Sequence, residues 1–344
     1  MTEPANKKAA FLMLAIVILT LSAWEIYLRN QNLKPSYDDN DALWANQRAR
    51  VYEPANETVV FIGSSRIKYD LDIPTWEKLT GKKAVMLAMT GSNPRPVLAN
   101  LAADENFKGN LVIDVTEILF LSDAPHYSEK PNTNLAYYKD RTPAQLASFQ
   151  VNHLLESQLV FLDEDYLTIN AKLKELQIPN RPGVFVMPPF PIGFERTQFS
   201  EQALMSDEFV SVKSQQQQMI DIWHILMSGP KPPPMPEAAM MAVINSVKSD
   251  VDKIRARGGN VMFVRTPSTG MMGQGEKMAF PKDKFWDKLI KETGCKGLHY
   301  TDSSVMSQLV CIEESHLKPT DAVIFTKEFV RMLRETNFLT AKTN

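Results

Sequence analysis

The chain has 344 residues, a formal net charge of −2, 44% hydrophobic residues and 23% charged residues. Such a length suits one large domain with insertions or two small ones, and the composition suits a globular core. The near-neutral balance argues against a nucleic-acid partner, and five scattered His with neither HExxH nor CxxC spacing argue against a metal centre.

Residues 1–8 read as a short cytoplasmic tail ending in Lys7 and Lys8, and residues 9–28 as a membrane anchor. Ala9 to Trp24 is apolar and uncharged, and Ile26, Tyr27 and Leu28 extend it to about 20 residues, enough to cross a bilayer as a helix. The lysines favour an N-terminus on the cytoplasmic side. Trp24 and Tyr27 stand where an interfacial aromatic belt belongs. A cleaved signal peptide is the competing reading, with Ala23 as its last residue, although Leu21 is large for the small-residue position. Both readings put the rest of the chain outside the cytoplasm. The expected localisation is a single-pass cytoplasmic-membrane protein with an extracytoplasmic, or periplasmic, C-terminal domain.

Residues 29–57 read as a polar stalk carrying a helix over 42–51, and 58–335 as the main domain. Apolar runs at 58–62, 84–89, 111–115, 261–264 and 298–301 read as five buried strands. Helices are expected at 74–80, stopped by Gly81, and at 94–103, where Pro94 sits in the first turn. Further helices are expected at 237–257, 284–293 and 322–333. This alternation predicts an α/β fold, a doubly wound five-stranded parallel sheet. Residues 120–235 are less regular, with helices over 143–155 and 166–176, a strand over 183–187, a glutamine patch at 215–218 and a stiff proline run at 232–236. This stretch reads as an insertion or lid, and 336–344 as a tail.

Ligands of such sheets bind beyond the carboxyl ends of the strands, and three polar clusters fall there or just before the final helix. Gly63-Ser64-Ser65-Arg66 follows the first strand and can present a hydroxyl together with backbone N–H groups. Thr90-Gly91-Ser92-Asn93 follows the second, where Gly91 permits close approach to the backbone. Glu313-Glu314-Ser315-His316 precedes the last helix, with a carboxylate spaced to orient a general base. Each cluster taken alone also fits an ordinary turn or a structural histidine. Arg66 and Arg265 sit near strand ends, either as anion-binding groups for substrate or as salt-bridged arginines. Cys295 and Cys311 are either one disulfide or two buried thiols.

Together the clusters resemble the SGNH/GDSL hydrolase superfamily over most of residues 58–335. The resemblance implies an SGNH/flavodoxin-like three-layer sandwich. Gly63-Ser64-Ser65 matches the family's first block and makes Ser65 the nucleophile. The Gly-Ser-Ser-Arg form resembles that of membrane-anchored members acting on cell-surface polymers. Gly91 matches the oxyanion glycine, and Glu313-x-x-His316 matches the final Asp-x-x-His, making His316 the base and Glu313 its orienting acid. The third block departs: Thr116 stands at the position of the oxyanion Asn, with Asn93 as a substitute donor. The oxyanion hole would then be drawn from Ser65, Gly91, Thr116 and Asn93. Two functions are implied. One is an esterase or O-acyltransferase, without metal or cofactor, acting on acylated envelope carbohydrate or lipid. The other is a catalytically degenerate accessory or scaffold component partnered with envelope-assembly proteins. A small-ligand-binding α/β protein is a third reading, which leaves the Ser, Gly and Glu-x-x-His order unexplained.

Overall fold

The computed structural model describes residues 3–164, 167–174, 188–229, 235–336 and 338–339. The strand expected at 183–187 and most of the proline run at 232–236 lie outside the described residues. The chain divides into two compact units, Met1–Asp38 with Pro143–Val186, and Asp39–Thr142 with Met187–Asn344.

The first unit is built on the helix Glu3–Asn30. Its stretch Asn6–Asn30 has a mean hydropathy of 2.2 and is 6% buried over its most apolar window. At 1.5 Å per residue it measures about 37 Å, long enough to cross a hydrocarbon core. Its far end is clamped. The Glu25 carboxylate accepts the Val160 N–H at 3.0 Å and the Phe161 N–H at 3.1 Å. Leu28 is buried together with Val160 and Leu167.

The second unit holds five parallel strands: β1 Thr58–Ile62, β2 Lys83–Met86, β3 Asn110–Asp114, β6 Asn260–Arg265 and β7 Lys296–His299, in the order β2-β1-β3-β6-β7. A two-stranded antiparallel ribbon, β4 Arg196–Thr197 and β5 Ala203–Leu204, stands apart. β1 and the centres of β2, β3 and β6 are apolar because both faces are covered, whereas the edge strand β7 reads Lys-Gly-Leu-His and buries only its last two residues. Val60, Ile62, Val85, Leu111 and Ile113 point to one side, into a core shared with the helices Arg95–Ala103 and Glu237–Ala256. Val59, Phe61, Ala84, Met86 and Val112 point to the other, against Ile73–Thr80 and Pro319–Glu335. The result is helix, sheet and helix in three layers.

The strand order places the switch point between β1 and β3. From β1 the chain moves outward to β2, then crosses back to β3 on the other side of β1. That crevice is where doubly wound sheets bind ligands.

Residues 39–57, expected as stalk, fold into this second unit. The helix Asp41–Ala49 buries Trp44, whose indole N–H donates to the Leu87 carbonyl at 3.1 Å. The stretch is polar in sequence yet packs, because its buried Arg48 donates to Asp104 at 2.9 Å. The expected insertion also divides. The helices His126–Asp140 and Lys213–Met227 fall within the bounds of the α/β unit, and Pro143–Glu156 within those of the other.

Candidate active site

β1 ends at Ile62, and Gly63 and Ser64 turn the chain into the short helix Ser65–Asp70. A Cβ on Gly63 would lie 2.6 Å from the Asp114 Cβ and 2.8 Å from Ile67, so the close pass of β1 and β3 requires glycine there. Ser64 is the N-cap, its hydroxyl accepting the Arg66 N–H at 3.5 Å. Ser65 is half-buried, whereas residues 58–64 and 66–71 are all buried. It is thus the point at which this segment reaches solvent.

His316 comes from the irregular segment ahead of the last helix. Its Nε2 lies 2.8 Å from the Ser65 Oγ, and its Nδ1 lies 3.0 Å from the Glu313 Oε1. The same Oε1 accepts the His316 backbone N–H at 2.5 Å, and the Trp223 indole N–H donates to Oε2. Glu313 is fully buried, so its carboxylate holds the proton on Nδ1 and leaves Nε2 as acceptor for the serine O–H. The imidazole is walled by rings, with centroids 4.4 Å away for Tyr69, 5.8 Å for Phe194 and 6.2 Å for Trp223. The Leu317 N–H donates to Asp70 at 2.9 Å, tying this segment to the end of the serine's helix.

The neighbouring Glu314 adopts φ +80°, a left-handed conformation that costs a non-glycine residue about 1 kcal/mol or more. Its carboxylate compensates by accepting the Met271 and Met272 N–H groups, both at 3.1 Å, at the start of the helix Gly270–Ala279. Gly270 is required there, since a Cβ would fall 2.2 Å from the Glu314 Oε1.

The oxyanion candidates separate. The Ser65 N–H opens its helix and Gly91 stands in a turn at φ +60° with open space where a Cβ would be; neither N–H meets an acceptor among the described residues. The Met89 N–H bonds the Gly63 carbonyl at 3.2 Å, which carries the Gly91 turn alongside the serine's turn. The Thr116 hydroxyl is 2.7 Å from the Ser64 Oγ, bridging β1 and β3 at the switch point. Asn93 is held by three contacts outside the Ser65–His316 pair. Its amide donates to the Ser122 carbonyl at 3.0 Å, its carbonyl accepts the Arg95 N–H at 2.9 Å, and its backbone N–H is taken by Tyr127.

Arg66 and Arg265 are not free to bind substrate. Both are 2–3% exposed and share Glu276, and Arg265 also bonds Glu117 at 2.9 Å. Burial opposes the charge of each arginine, but the carboxylates outweigh it and push both above their ordinary values. Burial likewise opposes the charge of Glu276, and the two guanidiniums overcome it, holding it at about 2. The cysteines are both free. Cys295 belongs to the core on one side of the sheet and Cys311 to the core on the other, so no disulfide joins them. Among the described residues no group of three or more His, Cys, Asp or Glu side chains could hold a metal ion.

Beneath the site lies a buried pair of carboxyls that the sequence did not signal. Asp114 and Asp70 are fully buried. The guanidiniums of Arg265 and Arg66 and the Ser64 N–H attract Asp114, yet neither of its oxygens meets a donor at hydrogen-bonding geometry. Burial dominates and pushes Asp114 up to about 6, and it carries Asp70 well above the carboxylate range, with Asp114 adding to the rise. The fold therefore favours the protonated form of Asp114. Its stabilisation is complete below about pH 4 and is lost as pH rises through about 6. Asp114→Asn should raise stability at pH 8 by about 2–3 kcal/mol and change it little at pH 4. Thermal melts of the detergent-solubilised chain at both pH values check this. A variant no more stable than the parent at pH 8 counts against a proton on Asp114.

Sequence reasoning passed over Trp223, Tyr69 and Phe194, which shape the histidine's surroundings from distant positions, and Glu276, which pairs with Arg66 and Arg265. No local pattern marks them. No protein-family model matches the chain, and no curated protein matches it.

Proposed function

We propose that the chain is a serine esterase or O-acyltransferase of the SGNH/GDSL type, held to the cytoplasmic membrane by its N-terminal helix and facing the envelope. Its substrate would be an acylated carbohydrate or lipid. The observation that carries the reading is the hydrogen-bond relay from Ser65 through His316 to Glu313. Ser65 Oγ attacks the acyl carbonyl carbon as His316 Nε2 takes its proton. The imidazolium is stabilised by Glu313, itself fixed by the Trp223 indole. The Ser65 and Gly91 N–H groups are the available donors for the oxyanion. His316 returns the proton to the departing alkoxide, leaving an acyl-serine. Water or a sugar hydroxyl, deprotonated by the same nitrogen, then takes the acyl group.

A second reading, a catalytically degenerate accessory component of an envelope-polymer assembly, draws on the third block. The Thr116 hydroxyl shares a hydrogen bond with that of Ser64, and the Asn93 amide donates to the Ser122 carbonyl. Loss of one oxyanion donor typically costs about 10²–10³ in rate. A fluorophosphonate probe discriminates the two. The expected result is covalent labelling of the full-length protein, mapped to Ser65 and absent in Ser65→Ala. A folded protein that stays unlabelled while a control serine esterase reacts would turn the reading to the accessory role.

A further inference from the structure

We propose that the helix Pro143–Glu156 lies in the lipid head-group region as a second membrane contact beside the N-terminal anchor. The inference rests on the anchor reading above and goes beyond it, because it names a surface the transmembrane span does not include.

The helix is inverted relative to an ordinary surface helix. Phe149 is buried and stacks on His153 at 5.3 Å, so the side facing its own unit carries Phe149 and His153. Leu146, Val151, Leu154 and Leu155 are 42%, 57%, 60% and 45% exposed. At 100° per residue these four, with Ala147, fall within an arc of about 180° that no charge interrupts and whose one polar side chain is Gln150. The helix contains no Lys, Arg or Asp, and its only acid is Glu156 at the end. A water-facing helix with this pattern has the wrong side out.

The occupant follows from where the helix is tied. Leaving Glu156, the chain reaches Val160 in four residues, at most about 14 Å. There Val160 and Phe161 donate to Glu25, and the Gln158 carbonyl accepts from Arg29. Leu28 packs on Val160 and Leu167. Residues 25–29 close the apolar stretch that starts at Asn6, which is the depth at which hydrocarbon gives way to water. The C-terminal end of Pro143–Glu156 is therefore held within about 14 Å of the segment that bonds the end of the anchor, and we take the bilayer around the anchor as the occupant of its exposed apolar face. Lacking basic residues, the helix would enter zwitterionic lipid as readily as anionic lipid, unlike polybasic interfacial helices.

The test uses the full-length protein in phosphatidylcholine vesicles, with an environment-sensitive fluorophore on single cysteines at Leu154→Cys, Asn152→Cys and Leu19→Cys. The native cysteines are buried and react slowly. All three positions are exposed, so the variants should fold. A shallow nitroxide lipid should quench the probe at 154 at least twofold more than that at 152, and a deep nitroxide should quench the probe at 19. Quenching at 19, with 154 as water-exposed as 152, would overturn this proposal and leave the anchor standing. A probe at 19 untouched by any nitroxide would remove the anchor and the proposal together. A probe at 154 shielded from both nitroxide and aqueous quencher, with chain-to-chain cross-linking through that cysteine, would assign the face to a second copy and overturn the lipid contact.

Discussion

Replacing His316 with alanine is expected to slow turnover of a small activated ester by about 10⁴–10⁶-fold, and adding Ser65→Ala is expected to cost little more. The reason is geometric. Ser65 Oγ is not a nucleophile by itself at neutral pH. In the proposed reaction it becomes one through a single acceptor nitrogen 2.8 Å away, and that nitrogen is an acceptor because Glu313 holds the other ring proton. Removing either member disables the same step, so the two losses overlap instead of adding. What remains is the contribution of binding and of the Ser65 and Gly91 N–H groups, which neither substitution removes. Single-turnover rates for the two single variants and the double variant test the point. Losses that multiply would mean the two side chains act in separate steps, and the relay would not be a catalytic unit.

The parts of this site that could be read from sequence are those carried by short local blocks at predictable places in the topology. A small residue and two serines after an apolar strand, a glycine after the next strand, and an acid three residues before a histidine ahead of the final helix each need only a few adjacent positions. The doubly wound order brings such positions to one edge. What stayed hidden depends on partners far away in sequence. Arg66 and Arg265 stayed open between anion-binding and salt-bridged roles, because their shared acid, Glu276, is marked by no local pattern and lies on a helix rich in glycine. Gly270, Gly273 and Gly275 give that segment poor intrinsic helicity. It forms because the Glu314 carboxylate caps its first turn and because Gly273 packs 2.6 Å, measured from a Cβ it lacks, from the Ser268 carbonyl. Spacing left Cys295 and Cys311 open between one disulfide and two buried thiols, and the sheet that separates them is a tertiary fact. The stalk was misread for a related cause. Its buried Trp44 carried no period that distinguished it from an exposed tryptophan, and its charged neighbour Arg48 hides its partner at Asp104.

The largest expected effect on stability follows from Glu276. Arg66 donates to both of its oxygens, Arg265 donates to Oε2 at 2.6 Å, and the Ser268 hydroxyl donates to the same oxygen at 2.6 Å. Glu276→Gln keeps the shape but removes the charge that two buried guanidiniums share. Arg265 retains Glu117, whereas Arg66 keeps no carboxylate among the described ion pairs. An unpaired buried charge typically costs about 3–5 kcal/mol, which in a domain of this size lowers Tm on the order of 10 °C. Lys248 and Asp252 provide the control: an exposed i,i+4 pair at 3.1 Å, worth about 0.3–0.5 kcal/mol. Asp252→Asn should therefore leave the melt nearly unchanged. The loss at Glu276 should also reach the proposed catalysis, because Arg66 directly follows the proposed nucleophile and its Nε donates to Ser315 at 3.5 Å, next to His316. If Glu276→Gln melts with the Asp252→Asn control, Arg66 and Arg265 are not sealed from water, and the assignment of both arginines to the scaffold instead of the substrate has to be withdrawn.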